Sequence, residues 1–302
     1  MDKERRFPII LSSFWLKIVA LLTMTIDHVG FMLQGYNIQP VGDIFRVIGR
    51  LAFPLFCFMI AEGVIHTKNF KRYALRLGIM ASAVSLIIVG SHEIPLFRNA
   101  GLSMRDDGVI FVDLLLGALA VYLLRQKKWY IKLLAILPLA YGIASFVACE
   151  LEHCGCVVTD VWWMPYFLRG QYSWYGVLLI IGFYLAHYLA KAFIKFASSI
   201  TLIPADAYDG SYFERNTLNV MSVIMLAFVT LLYYVVCILT PVKYAFWYGY
   251  EDMQLYAILA GVFILLYSGL RGYNKKWFQY GSYLYYLLHM LIIGVIFYLI
   301  FM

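Results

Sequence analysis

The chain has 302 residues, 63% of them hydrophobic and only 14% charged, with a net charge of +7. A soluble domain carries about a quarter charged residues, so this composition excludes an ordinary soluble enzyme and points to a bilayer protein. The excess of basic residues is what inner loops of any polytopic membrane protein show, and it does not by itself imply nucleic acid.

The first residues, Met1 to Arg6, are basic like the start of a signal peptide. The apolar run behind them is too long for a signal core and no small-x-small cleavage site follows, so it reads as an uncleaved first span. In chain order, spans are expected at about 14–34, 44–65, 73–91, 109–124, 130–149, 173–190, 218–240, 253–270 and 281–302, about nine (eight to ten) in all. The fold class is therefore all-α, a polytopic integral membrane protein of a cell membrane, with a single transmembrane domain over 1–302. A cytoplasmic N-terminus puts Lys3, Arg5, Arg6, Lys17, Lys68, Lys71, Arg72, Arg76, Arg125, Lys127, Lys128, Lys132, Lys191, Lys195, Arg215, Arg271, Lys275 and Lys276 inside. Only Arg46, Arg98, Arg105, Arg169 and Lys243 then fall outside, which follows the positive-inside rule.

The first span holds Asp27 and His28 side by side. Each ionisable group near the bilayer centre costs about 2.5–3.5 kcal/mol on insertion scales, so such groups are kept for a purpose. Adjacent helical residues point about 100° apart, so Asp27 does not orient His28 directly; one faces a cavity and the other pairs sideways. Counting residues into each span places Asp27, His28, Arg50 and Asp113 in one outer-half layer. There Arg50 either pairs with Asp27 or Asp113 as a structural ion pair or belongs to a working site. A second, lower layer holds Lys17, Glu62, His66 and His289. Tyr286 and His289, three residues apart, share a helix face. Lys68, Lys71, Arg72, Arg76, Arg271, Lys275 and Lys276 form a basic inner collar that suits a polyphosphate ligand as well as membrane topology.

Of five cysteines, Cys57 and Cys237 lie within spans and read as core. Cys149 can pair with Cys154 or Cys156 on an oxidising outer face. The loop 150–172, with Trp162, Trp163, Met164, Pro165, Tyr166 and Phe167, reads as an interfacial or re-entrant segment or as an ordinary aromatic belt. No nucleotide loop, zinc-protease motif or nucleophile elbow occurs.

Lys17 through Gly30, with Asp27 and His28, resembles the opening of the TraX family. The next span does too, through Arg46, Gly49, Arg50, Phe53, Pro54, Phe56, Phe58, Ala61, Glu62 and Gly63. His66, Lys68, Asn69, Tyr73 and Arg76 continue the pattern, and Tyr283, Tyr285, Tyr286 and His289 resemble the family's closing tyrosine–histidine motif. The resemblance runs over about 14–78 and 267–295, with a weaker echo at Ser173–Val177 and a poor match over about 91–172. Leu287 stands where the family tends to have proline. The resemblance implies an acetyltransferase, since the founding member acetylates the N-terminal amine of a pilin subunit, and it links the chain to polytopic acyltransferases that use cytoplasmic acetyl-CoA. In one branch of those, an arginine precedes a histidine of the first span by eleven positions, the separation here of Lys17 and His28.

These readings together expect His28 as general base, Asp27 as a structural or electrostatic partner of Arg50, and Arg50 as the holder of Asp27 or polariser of the thioester. Lys17, Glu62, Lys68, Lys71, Arg72, Arg76, Arg271, Lys275, Tyr286 and His289 are expected to receive acetyl-CoA, with no metal. The acceptor is a peptide or a glycan. The alternatives are a proton-coupled transporter, which also buries Asp, His and Arg, and a non-catalytic membrane assembly protein.

Overall fold

The computed structural model describes residues 11–95, 108–153, 161–239 and 251–301. The basic residues at the N-terminus and the cysteines at 154 and 156 lie outside them, as do Arg98, Arg105 and Lys243. Among the described residues the regular structure is helical apart from an isolated bridge between Leu11 and Tyr267: α1 Ser13–Gly35, α2 Gln39–Gly49, α3 Ala52–His66, α4 Phe70–Glu93, α5 Ile110–Leu124, α6 Trp129–Leu133, α7 Ile136–His153, α8 Ser173–Thr201, α9 Tyr212–Leu239, α10 Glu251–Gln254, α11 Gly261–Leu265 and α12 Lys276–Phe301. Short 3-10 turns cover Tyr166–Leu168, Ala205–Tyr208 and Leu255–Ala260. Among them, seven helices or broken helices are long and apolar enough to cross a bilayer, and Ile110–Leu124 and Asp252–Leu265 are shorter apolar helices. Every expected span falls on one of these nine.

Two of the breaks within long spans have one cause. Proline lacks an N–H and its ring crowds the carbonyl four residues earlier. Pro54 stands four residues after Arg50, where α2 gives way to α3. Pro138 stands four residues after Leu134, where α6 gives way to α7. The first break places Arg50 at a turn, with its side chain turned inward and 2% of the residue exposed.

The chain forms two compact units. The first comprises residues 1–59, 185–230 and 252–302. Here α1 and α2 meet at glycines: a methyl on Gly30 would lie 2.7 Å from Phe45 Cβ and 2.9 Å from the Gly42 carbonyl. Small residues of this kind let two membrane helices approach to backbone contact. The turn between them uses Asn37 at φ 62°, a conformation asparagine tolerates, and Pro40 opens α2.

In the same unit α1 and α12 run side by side. Phe14 packs on Phe278, Thr25 on Tyr285, His28 on His289 and Tyr36 on Phe297 and Phe301. These contacts advance together along both helices, so the pair is parallel. The start of the pair is tied by backbone bonds from Ser13 N–H to Leu270 O, 2.8 Å, and from Ser268 N–H to Leu11 O, 2.8 Å. Asn219 of α9, fully buried, donates to the carbonyls of Leu265 and Tyr267 and so satisfies the open end of α11.

The second unit comprises residues 60–184 and 231–251. Its segment 161–172 is tied in, since Ser85 and Tyr141 donate to the carbonyls of Phe167 and Leu168 at 2.7 and 2.9 Å. Arg169 makes a two-pronged pair with Glu152 at 2.6 and 2.7 Å and is 7% exposed. Arg169, expected among the outer-loop charges, is a buried strut. Trp162 projects with 88% exposure, while Met164 and Tyr166 are buried.

Candidate functional site

Asp27 lies on the face of α1 turned toward α2. Its carboxylate receives Arg46 Nη1 at 2.5 Å on one oxygen and Arg50 Nη2 at 2.7 Å on the other. Arg46 and Arg50 are four residues apart, so the last turn of α2 presents both guanidiniums together. Arg50 Nε also donates to the Arg46 carbonyl at 3.2 Å. Gly49 makes room for the clasp, because a side chain there would occupy the space of the Asp27 carboxyl.

His28 faces α12 instead, as the angle between successive helical residues requires. His28 Nδ1 lies 2.9 Å from the Met24 carbonyl and 3.0 Å from His289 Nε2. His289 Nδ1 lies 2.7 Å from the Tyr286 carbonyl and 3.2 Å from that of Tyr285. Carbonyl oxygens only accept, so both Nδ1 atoms carry the proton when the rings are neutral. His289 Nε2 is then a lone-pair acceptor, and the His28 Nδ1–H is shared between it and Met24 O. The arrangement leaves His28 Nε2 as the basic nitrogen of the ring.

Several sequence readings change here. Arg46, placed by its position in an outer loop, is 2% exposed and shares Asp27 with Arg50. Its spacing from Arg50 was the available signal. His289, placed in a lower layer, stands beside His28. The last helix begins at Lys276, five residues before its expected edge at 281. His28 and His289 are 15 and 13 residues beyond the first residues of their helices, about 22 and 20 Å at the helical rise. Asp113 belongs to the second unit, is fully buried, and accepts from the Tyr172 backbone N–H at 2.7 Å at the start of α8. An acceptor at a helix N-terminus satisfies donors the helix leaves open.

The expected donor-binding residues divide between the units. In the first, Lys17 Nζ lies 5.7 Å from the centre of the Phe278 ring, and the Phe14 N–H donates to the Arg271 carbonyl. Arg271, Lys275 and Lys276 are exposed on the loop entering α12. In the second unit Glu62 is buried near the end of α3, and Lys68, Lys71 and Arg72 are exposed around the start of α4. Arg76 lies over the Tyr73 ring at 5.9 Å, and Asn69 caps α4 through the Arg72 N–H. Among the described residues, no group of three or more His, Cys, Asp or Glu is placed to hold a metal ion.

A family model described as TraX protein matches residues 12–297. The chain belongs to the TraX family. The bounds of the match take in the middle region and residues of both units of this TraX-family chain. A probable fimbrial assembly protein FimC, serogroup H1, of Dichelobacter nodosus is 27% identical over 137 residues, covering 44% of this chain and 54% of that protein. The uncharacterized protein RP591 of Rickettsia prowazekii (strain Madrid E) is 31% identical over 150 residues, with the same two shares, 44% and 54%. The chain thus spans about half the length of the curated relatives it matches. No solved structure matches it. Family and helices together make this a multi-pass membrane protein.

Proposed function

We propose that this chain is a membrane acetyltransferase that moves an acetyl group from acetyl-CoA to an amine or hydroxyl acceptor reached from the membrane or its outer face. The acceptor class is a pilin-like N-terminus or a cell-surface glycan. The observation that carries the reading is His28: a half-buried histidine deep in a membrane helix, with Nδ1 committed to acceptors and Nε2 left basic. Membership of the TraX family supports it, as does the name of the Dichelobacter nodosus relative, a probable fimbrial assembly protein.

In the proposed reaction the acceptor nitrogen or oxygen attacks the acetyl carbonyl while its proton passes to His28 Nε2. The carbon–sulfur bond breaks, the thiolate of CoA leaves, and His28 returns the proton to that sulfur. One acetyl–nitrogen or acetyl–oxygen bond replaces the thioester, and His28 ends neutral. Asp27, held by Arg46 and Arg50, sets the rotation of α1 and with it the direction of His28. Lys17, Arg271 and Lys275, where α1 and α12 begin, meet the phosphates of the donor, and Tyr286 flanks its acyl end. Lys68, Lys71, Arg72 and Arg76 of the second unit are the other candidate phosphate group.

The test is binding of acetyl-CoA to the purified protein, read as a thermal shift in detergent or bilayer. Saturable stabilisation by acetyl-CoA, stronger than by the dephosphorylated thioester arm alone, is the predicted result. A protein whose melting is indifferent to acetyl-CoA is not this enzyme, and the transporter or assembly readings then gain.

A further inference from the structure

His289, expected to receive the donor or to assist proton transfer, lies 3.0 Å from the His28 ring. We propose that His289 is a positioning residue for His28, and that Thr25 and Tyr285 hold His289 in turn. This rests on His28 being the base.

The four side chains alternate between two parallel helices. Thr25 and His28 are three apart on α1, and Tyr285 and His289 are four apart on α12, so each pair shares a face. Thr25 Oγ1 donates its one hydrogen to the Leu21 carbonyl at 2.8 Å. The Tyr285 hydroxyl, 2.5 Å away, therefore donates to Thr25. That bond pins the Tyr285 ring, which stacks on His289 with centroids 5.6 Å apart and planes 19° apart. His289 Nδ1–H is anchored on the Tyr286 carbonyl, and its Nε2 accepts from His28. The two imidazoles meet edge to face at 4.7 Å and 62°.

The consequence is chemical. In the familiar triads an acid fixes the base histidine and steadies its imidazolium. Here Asp27 is engaged by two arginines and His289 takes that place as a neutral acceptor. When His28 Nε2 gains the acceptor's proton, the Nδ1–H bond to His289 becomes charge-assisted and stronger. The stabilisation grows as charge develops, which is the condition for speeding the chemical step rather than tightening donor binding. A neutral partner also adds no further ionised group to a membrane interior that already holds the Asp27 clasp.

The experiment compares His289→Leu and His289→Gln with the parent protein and with His28→Ala, all checked for folding by thermal melting. His289→Leu removes the acceptor, while a glutamine oxygen restores one. The expected result is a fall in kcat of about 10²-fold for His289→Leu, at the low end of a general base's contribution, with the acetyl-CoA KM held. His289→Gln recovers most of that fall. Solid-state 15N NMR of histidine-labelled protein in bilayers is expected to show both Nδ1 atoms protonated and both Nε2 atoms unprotonated. A raised acetyl-CoA KM with unchanged kcat, equal losses in the Leu and Gln variants, or a protonated His28 Nε2 at rest overturns the proposal. Loss in His28→Ala beside a parental kcat in His289→Leu removes the positioning role alone. Full activity in His28→Ala removes the base itself and with it this proposal.

Discussion

Asp27→Asn is the sharpest probe of the buried clasp. The substitution keeps the volume and one acceptor oxygen but removes the negative charge facing two guanidiniums. The side chains involved are nearly sealed, with 11% of Asp27, 3% of Arg46 and 2% of Arg50 exposed. Water therefore cannot replace the lost charge. Breaking a buried ion pair by removing one partner costs about 3–5 kcal/mol, much more than losing an exposed pair. With both arginines sharing one carboxylate, the upper half of that range is expected, a change of roughly 10³-fold or more in the folded-to-unfolded ratio. The assay is unfolding in a graded detergent-denaturant series, read by tryptophan fluorescence, with thermal melting as a second measure. Replacing all three residues at once, as Asp27→Leu with Arg46→Met and Arg50→Met, should restore much of the loss, because apolar replacements of whole buried networks are often neutral. A parental unfolding midpoint in Asp27→Asn refutes the claim that the clasp is a sealed, mutually dependent unit.

Gly49→Ala should act on the same clasp by pushing the Asp27 carboxyl aside, at a cost of about 1–3 kcal/mol, visible as a lower melting temperature. Asn219→Leu leaves the carbonyls of Leu265 and Tyr267 without their buried donor, at about 1–3 kcal/mol each. Proteolysis near the start of α12 should rise with it, and an unchanged digestion pattern would count against its role as an end cap. Arg271→Ala with Lys275→Ala should weaken acetyl-CoA binding more at low salt than at high salt. Lys71→Ala with Arg72→Ala is the parallel test for the second unit. A loss equal at both salt concentrations, in both variants, argues against any phosphate role.

The spans were legible because hydropathy is a property of long windows, and nine apolar stretches separated by basic loops survive any small error of edge. The edges themselves were not, and the site depended on them. Starting the second span at residue 44 left Arg46 at a rim, although Pro40 marks a helix start and Arg46 and Arg50 stand four apart. Starting the last span at 281 set His289 too shallow by more than a turn, because Lys276, Gln279 and Tyr280 look like loop residues to a hydropathy count. The breaks at Arg50 and Leu134 were readable from Pro54 and Pro138. That Asp27 and His28 face different partners followed from helix geometry alone. The pairing of Asp27 with Arg50 was among the readings of the sequence. That His28 meets His289 was not, since contact between residues 261 positions apart leaves no local trace in sequence.

The most direct test of the account is acetyl transfer by the bilayer-reconstituted protein with labelled acetyl-CoA, offered a peptide with a free N-terminal amine and a hydroxyl-bearing glycan, and followed by release of CoA thiol. The account predicts acceptor-dependent turnover in the parent protein. It predicts its loss in His28→Ala, with melting and acetyl-CoA binding unchanged. Turnover undiminished in His28→Ala would contradict it.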